Sequence, residues 1–354
     1  MTDAPLLVVE SVTVEYALSG GRKLMAVAGV SFTVRGGETL GLVGESGCGK
    51  STVGRAIMQL PGPAGGRIVF GGRDLADLSG QELRRVRARL HMIFQDPISS
   101  LNPRRRVRDI VAEPMAIAGV GSPEERERRV RLALEAVSLD PDRVMDRRPH
   151  EFSGGQCQRI AIARALIMEP HLVVCDEPVS SLDVSVRAQI LNLLEDMKAR
   201  YGLTLLFISH DLAVVKNISD RVAVMYLGRL CELASSARLY QAPLHPYTAA
   251  LMAAIPVMDP DHVPDRSRLL AGDLPSPMDP PSGCRFRTRC PRAETRCAEL
   301  EPTWREAELD HFVACHFPLT SMNAPEAAPS IVLSASMSPS ERPAAVPERR
   351  LSMR

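Results

Sequence analysis

The sequence is poor in aromatic residues. They make up 4% of its 354 positions, with a single tryptophan. A protein that grips single strands by stacking their bases needs more rings than this. Charge of one sign is not in excess either, since the formal net charge is +1. The bulk attraction of a basic chain for polyphosphates or anionic lipid is therefore missing, and no nucleic-acid partner is expected. No apolar run reaches the ~18 residues of a membrane span. Among the longest candidates, Ile160 to Met168 is broken by Arg164. Met1 to Glu10 lacks the basic leader and cleavage site of a secretory signal. Tight Cys-x-x-Cys pairs, usual for zinc, are absent, and no internal repeat is visible. The expectation is a soluble chain of two or three units, brought to any membrane only by a partner.

The strongest positive signal is GESGCGKST, Gly44 to Thr52. It follows an apolar run, Thr39 to Val43, and leads into a helical pattern, Val53 to Leu60. Strand, glycine turn and helix in that order build a phosphate-binding loop. Gly44, Gly47 and Gly49 permit positive φ and close approach to an anion. The N–H groups of Glu45, Ser46, Cys48 and Thr52 lie in the same turn and helix start, where the dipole favours negative charge. Lys50 can reach the β and γ phosphates, and the Ser51 hydroxyl can ligate Mg²⁺.

Around this loop the chain alternates strands and helices, as in an α/β fold. Leu6–Tyr16 and Ala26–Val34 read as strands. Tyr16, at a strand end, is either an adenine-stacking ring or an ordinary strand aromatic. Leu90–Gln95 is a strand whose polar end, Gln95, can ligate a metal or sense a ligand. From Pro97 to Glu151 the pattern is helical and charged, a small insertion whose arginines are read as a solvated face. In FSGGQ, Ser153 is placed as an N-cap and Gly154–Gly155 leave N–H groups bare. This is a second anion-binding helix end, with Gln156 in its first turn. HLVVCDE is a buried parallel-type strand closing on Asp176 and Glu177. Asp176 suits Mg²⁺, and Glu177 suits the attacking water. Ser180–Asp183 is a polar turn. His210 leaves another buried strand and either bonds a γ-phosphate or is structural. Proline then becomes frequent, and the tail after Pro318 reads as disordered.

Taken together, these residues resemble the ATP-binding subunit of an ABC transporter. GESGCGKST is similar to the Walker A motif, Gln95 to the Q-loop and FSGGQ to the ABC motif. HLVVCDE is similar to Walker B, SSLD with Asp183 to the D-loop, and His210 to the switch histidine. Tyr16 matches the adenine-stacking aromatic. FQDPISSLNPR, HPYT (His245 to Thr248), LPSP, PPSGCRFRTRCPRA and VACH resemble the oligopeptide/dipeptide importer branch, which in some members handles nickel or glutathione. Phe152 replaces the commoner leucine before SGGQ, and Cys157 stands where arginine or methionine is frequent.

The resemblance implies a P-loop NTPase (RecA-like) α/β core with an antiparallel β subdomain. It also implies an inserted helical subdomain at 97–152 and a small Cys/Pro-rich C-terminal unit. The expected domains are 1–235, 236–320 and a disordered tail, 321–354. It implies that ATP lies between the phosphate loop of one subunit and the SGGQ helix end of a second, identical or homologous, ATPase subunit. Two integral membrane permease subunits and an extracytoplasmic solute-binding protein complete the expected assembly, on the cytoplasmic face of the inner membrane. The implied activity is ATP hydrolysis driving peptide import. A soluble ABC ATPase acting on DNA or ribosomes, and a regulatory sensor, are the competing readings. The first usually carries two cassettes or a long coiled coil, and the second sits badly with Glu177. Cys284, Cys290, Cys297 and Cys315 cluster late; a 4Fe–4S iron–sulfur cluster, zinc and free thiols are all open for them, with a fold staple as the use.

Overall fold

The computed structural model describes residues 4–255 and 272–319. The tail at 321–354 lies outside them. The chain opens with an antiparallel pair, β1 (Leu7–Ala17) and β2 (Lys23–Val34). Leu7, Val9, Val12 and Val14 of β1 are buried, and a bulge between Val9 and Val12 keeps them on one face. β3 (Thr39–Val43) is buried throughout and runs through the glycine turn into α1 (Lys50–Ile57). The sequence pattern starts this helix at Val53; Gly49 in fact turns straight into Lys50.

β4 (Gly65–Phe70) and β5 (Arg73–Asp74) complete a first sheet in the order β2-β1-β4-β5. α2 (Gly80–Arg87) is a basic surface helix, and β6 (Leu90–Ile93) stops short of Gln95. Then come four helices: α3 (Pro97–Ser100), α4 (Val107–Ala118), α5 (Pro123–Ala136) and α6 (Pro141–Val144). α7 (Gly154–Leu166) returns the chain to the core. One arginine of α5 corrects the expectation of a solvated face. Arg129 is buried and donates to the Ile167 carbonyl at 2.7 Å and to Glu169 at 3.1 Å, tying α5 to the segment after α7.

β7 (Leu172–Asp176), α8 (Val184–Tyr201), β8 (Thr204–Ser209) and α9 (Leu212–Ile218) follow. β9 (Arg221–Tyr226) and β10 (Arg229–Ser235) form a hairpin around Gly228, succeeded by α10 (Ser236–Gln241) and α11 (Pro246–Ala253). The late region supplies α12 (Thr295–Glu299), β11 (Arg305–Glu308) and β12 (His311–Val313). The second sheet runs β11-β12-β10-β9-β3-β8-β7-β6. Its strands are parallel from β9 to β6 and antiparallel from β9 outward. The cysteine-bearing region therefore extends the main sheet. Its seam is sealed by His311 Nε2 and Glu232 Oε1 at 2.7 Å, both side chains fully buried. Glu232 also accepts the N–H groups of Leu244 and His245.

The central strands bury both faces. Leu172 and Val174 of β7 join the core beneath β1, β2 and α1, whereas Val173 and Cys175 join the core beneath α4, α7, α8 and α9. β8 divides likewise, with Leu206 and Ile208 on one side and Leu205 and Phe207 on the other. Two-sided burial is why these strands read as apolar runs. Polar chemistry is left to the loops at their C-terminal ends.

Candidate functional site

β3, β7 and β8 lie side by side and parallel, so the loops that leave them emerge at one edge of the sheet. The loop after β3 is the glycine turn. Gly44 has φ +150°, and a Cβ there would stand 2.1 Å from the Met225 carbonyl oxygen; one on Gly49, at φ +106°, would stand 2.4 Å from the Ala26 oxygen. Only glycine lets the loop press this closely on β9 and β2. Lys50 is buried, and its ammonium donates to the Gly44 carbonyl at 2.7 Å and the Glu45 carbonyl at 2.9 Å. Cys48 is buried beside it, and burial raises its thiol pKa, which leaves it a packing group.

At the end of β7, Asp176 accepts the Ser51 hydroxyl at 2.6 Å. Burial is the main cause that raises the Asp176 pKa; the Ser51 hydrogen bond and the Arg55 charge oppose it. Glu177 follows with φ +47°, a left-handed backbone that costs a side-chain-bearing residue about 1–3 kcal/mol. The turn is held by the Glu177 N–H donating to the Ile208 carbonyl at 3.0 Å. The carboxylate is thereby set between two partners. Gln95 Nε2 donates to Oε2 at 3.1 Å, and His210 Nδ1 lies 3.2 Å from Oε1. The Glu177 side chain is 11% exposed and that of His210 49%, so one wall of the site is open. Lys50, Ser51, Gln95, Asp176, Glu177 and His210 are thus brought to one edge.

The donors present fit a magnesium–nucleotide site. A hydroxyl, a carboxylate and an amide carbonyl are hard oxygen ligands of the kind Mg²⁺ takes. The buried Asp176 carboxylate, its pKa raised by desolvation, is a group whose charge a cation there would balance.

The second helix end is built as its sequence implies. Ser153 Oγ accepts the Gln156 N–H at 3.4 Å, and Gln156 Oε1 accepts the Ser153 N–H at 3.0 Å, a capping box at the start of α7. Gly155 is pressed on Val186 of α8, where a Cβ would stand 2.5 Å away. Asp183 caps α8 by accepting the Val186 N–H at 2.9 Å. Among the described residues no hydrogen bond joins Ser153–Gln156 to the glycine turn of the same chain. Tyr16 is half-buried at the end of β1, opposite Leu24.

Two contacts to the glycine turn have no sequence forecast. Tyr247 Oη accepts the Glu45 N–H at 3.0 Å, and Arg289 forms a two-pronged bond with the Glu45 carboxylate. The HPYT and CRFRTRC runs marked these segments as distinctive, but nothing in the sequence says what they touch.

Cys284, Cys290, Cys297 and Cys315 converge, with His316, around one void of about 10 Å³. Among the described residues no group of three or more His, Cys, Asp or Glu is placed to hold a metal ion. All four thiols are free. Burial raises the pKa of Cys284 and Cys290 and pushes Cys315 up to about 12. No helix among the described residues is long and apolar enough to cross a membrane.

Over residues 27–180 the chain matches the family model described as ABC transporter. Residues 231–297 match that of the oligopeptide/dipeptide transporter C-terminal region. A putative peptide import ATP-binding protein of Brucella ovis is 54% identical over 315 residues, covering 89% of this chain and 98% of that protein. The oligopeptide transport ATP-binding protein OppF of Salmonella typhimurium is 52% identical over 296 residues, covering 83% and 88%. Among solved structures, cbiO1 of Clostridium perfringens, part of the ABC transporter complex cbiONQ, has a TM-score of 0.59 at 30% identity, covering 68% of this chain and 91% of that one. A dimeric ATP-binding cassette in a post-hydrolysis state, bound to ADP and Pi, also scores 0.59, at 29% identity, covering 65% and 98%.

Proposed function

The chain belongs to the ATP-binding proteins of ABC transporters, in the oligopeptide/dipeptide branch, and on that premise we propose that Glu177 is the base of its ATPase reaction. The protein hydrolyses ATP to energise the import of peptides. One observation carries the assignment: the Glu177 carboxylate is held between Gln95 and His210, beside the Ser51–Asp176 pair.

ATP enters with its phosphates over the glycine turn, whose N–H groups donate to them, that of Glu45 apart because Tyr247 takes it. Lys50 exchanges its two carbonyl partners for phosphate oxygens. Mg²⁺ held by Ser51, Gln95 and Asp176 would neutralise charge on the β and γ phosphates. Glu177 takes a proton from a water as the water oxygen bonds to the γ-phosphorus and the bond to the β-phosphate oxygen breaks. ADP and phosphate leave. Gln95 orients the carboxylate, and His210 donates to the γ-phosphate. Tyr16 stacks on the adenine.

The Ser153–Gln156 helix end serves the nucleotide of a second ATPase subunit. Its capped but otherwise unclaimed N–H groups support this, as does the absence of a bond to its own phosphate loop among the described residues. Asp183 lies at that same interface. Two membrane permeases and an extracytoplasmic binding protein complete the assembly, which keeps this chain peripheral on the cytoplasmic face of the membrane. Residues 1–235 make the ATPase domain, with the helical insertion at 97–152, and 236–320 form an accessory region. The four late cysteines serve as a fold staple for that region, and no step of the reaction runs through them.

The test is reconstitution with the permeases and binding protein in proteoliposomes. ATP-driven uptake of a labelled oligopeptide is expected with the native chain and not with Lys50→Ala. Uptake that survives Lys50→Ala would overturn the assignment of the site.

A further inference from the structure

The runs HPYT (His245 to Thr248) and CRFRTRC (Cys284 to Cys290) take no part in the reaction just described. Both converge on Glu45, a residue of the phosphate loop. Tyr247 accepts the Glu45 N–H at 3.0 Å. Arg289 Nη1 donates to Glu45 Oε2 at 2.6 Å, and Nη2 to Oε1 at 3.0 Å. The Arg289 side chain is 5% exposed and that of Glu45 26%, so water screens this pair less than a surface bridge.

The guanidinium is also seated on rings. Its carbon lies 5.9 Å from the Tyr226 ring centroid, and Tyr226 meets Tyr247 edge-on at 4.8 Å and Phe286 at 5.3 Å. Arg285, from the same run, donates to the Leu227 carbonyl at the β9–β10 turn. The next residue, Gly228, donates its N–H to the Cys48 carbonyl at 2.8 Å. A loop flanked by Cys284 and Cys290 therefore reaches the phosphate loop directly at Glu45 and through one intermediary at Cys48.

A carboxylate at the mouth of a triphosphate site repels the ligand unless its charge is cancelled. We propose that Arg289 is a positioning residue for ATP binding: it cancels the charge of Glu45 and fixes the entry turn of the phosphate loop. Through it, the cysteine-rich region sets the affinity of the ATPase domain for nucleotide. The inference rests on reading Gly44–Thr52 as the phosphate site.

The experiment measures the Kd of a fluorescent ATP analogue for the purified full-length chain. Arg289→Ala is expected to weaken binding about tenfold, the scale of one shielded charge pair lost. Adding Glu45→Gln removes the uncancelled carboxylate and is expected to recover most of the loss. In turnover, KM for ATP rises while kcat at saturation changes little. Lys50→Ala tests the site itself. If the analogue still binds to it, the phosphate-loop reading falls and this proposal with it. If Lys50→Ala abolishes binding while Arg289→Ala binds normally, only the role of Arg289 is overturned. Weak binding by Arg289→Ala that Glu45→Gln does not rescue also overturns it, because the arginine then merely holds the fold. Should Arg289→Ala fail to fold by circular dichroism, Arg289→Gln with and without Glu45→Gln reads the same difference.

Discussion

Gln95 and Glu177 stand at the ends of neighbouring strands and are joined by a 3.1 Å hydrogen bond from amide to carboxylate. β6 and β7 are parallel partners, so the bond crosses between the loops that follow them. Gln95 also stands two residues before α3, where the helices α3 to α6 begin.

Replacing the carboxylate by its amide isolates the proton-transfer step. Glu177→Gln keeps the size of the side chain and removes its basicity. Phosphate release is expected to fall about 10²–10⁴-fold, with affinity for ATP unchanged by analogue fluorescence. Normal turnover would remove Glu177 from the reaction.

Asp176 couples stability to function through pH. Burial, the largest cause, raises its pKa above the unfolded value. Its contribution to stability is therefore complete below the unfolded pKa and is lost as pH rises through the folded pKa. At neutral pH the ionised, desolvated carboxylate is a cost. Asp176→Asn is expected to raise the thermal midpoint at pH 7 by about 2–4 °C, with the gain shrinking as the pH is lowered, while Mg²⁺-dependent hydrolysis is lost. A lower midpoint at pH 7 would show that the charged form is a net stabiliser.

Gly44 has no room for a methyl group, given 2.1 Å from a built Cβ to the Met225 carbonyl. Gly44→Ala must displace the loop or β9. A loss of about 2–4 kcal/mol in urea unfolding is expected, together with loss of ATP binding. Gly47, with open space around the same built atom, gives the contrast. Its Ala variant is expected to lose less stability, from backbone strain alone.

Ser153→Ala separates a cap from an interface. Removing the cap costs about 1 kcal/mol in the isolated chain. ATP binding to that chain's own phosphate loop should persist, and turnover in the assembled transporter should fall sharply. Full turnover in the complex would contradict a nucleotide shared between subunits.

The glycine turn, the Asp176–Glu177 pair and the Ser153 cap were legible in the sequence because each is local. A strand, a turn and a helix start lie within a dozen or so residues, and their chemistry follows from spacing. The meeting of Gln95, Glu177 and His210 depends on the order β8-β7-β6, which no single segment encodes. Glu45 and Arg289 lie 244 residues apart, beyond any local pattern. Arg129 looked like its solvated neighbours because helix periodicity does not reveal a carbonyl waiting on another element. β11 is polar and β12 only three residues long, so neither alternation nor an apolar run announces them. The late cysteines stand close in sequence, and the structure has all four line one void.

The placement of β12 against β10 bears on how the chain is made. During synthesis, β10 and its hairpin partner leave the ribosome well before His311 to Val313 exist. Until then β10 presents bare backbone donors and acceptors along one side, and Glu232 lacks the imidazole that partners it in the finished sheet. A nascent or prematurely terminated chain thus carries a sticky border, and it is the last described strand that closes it.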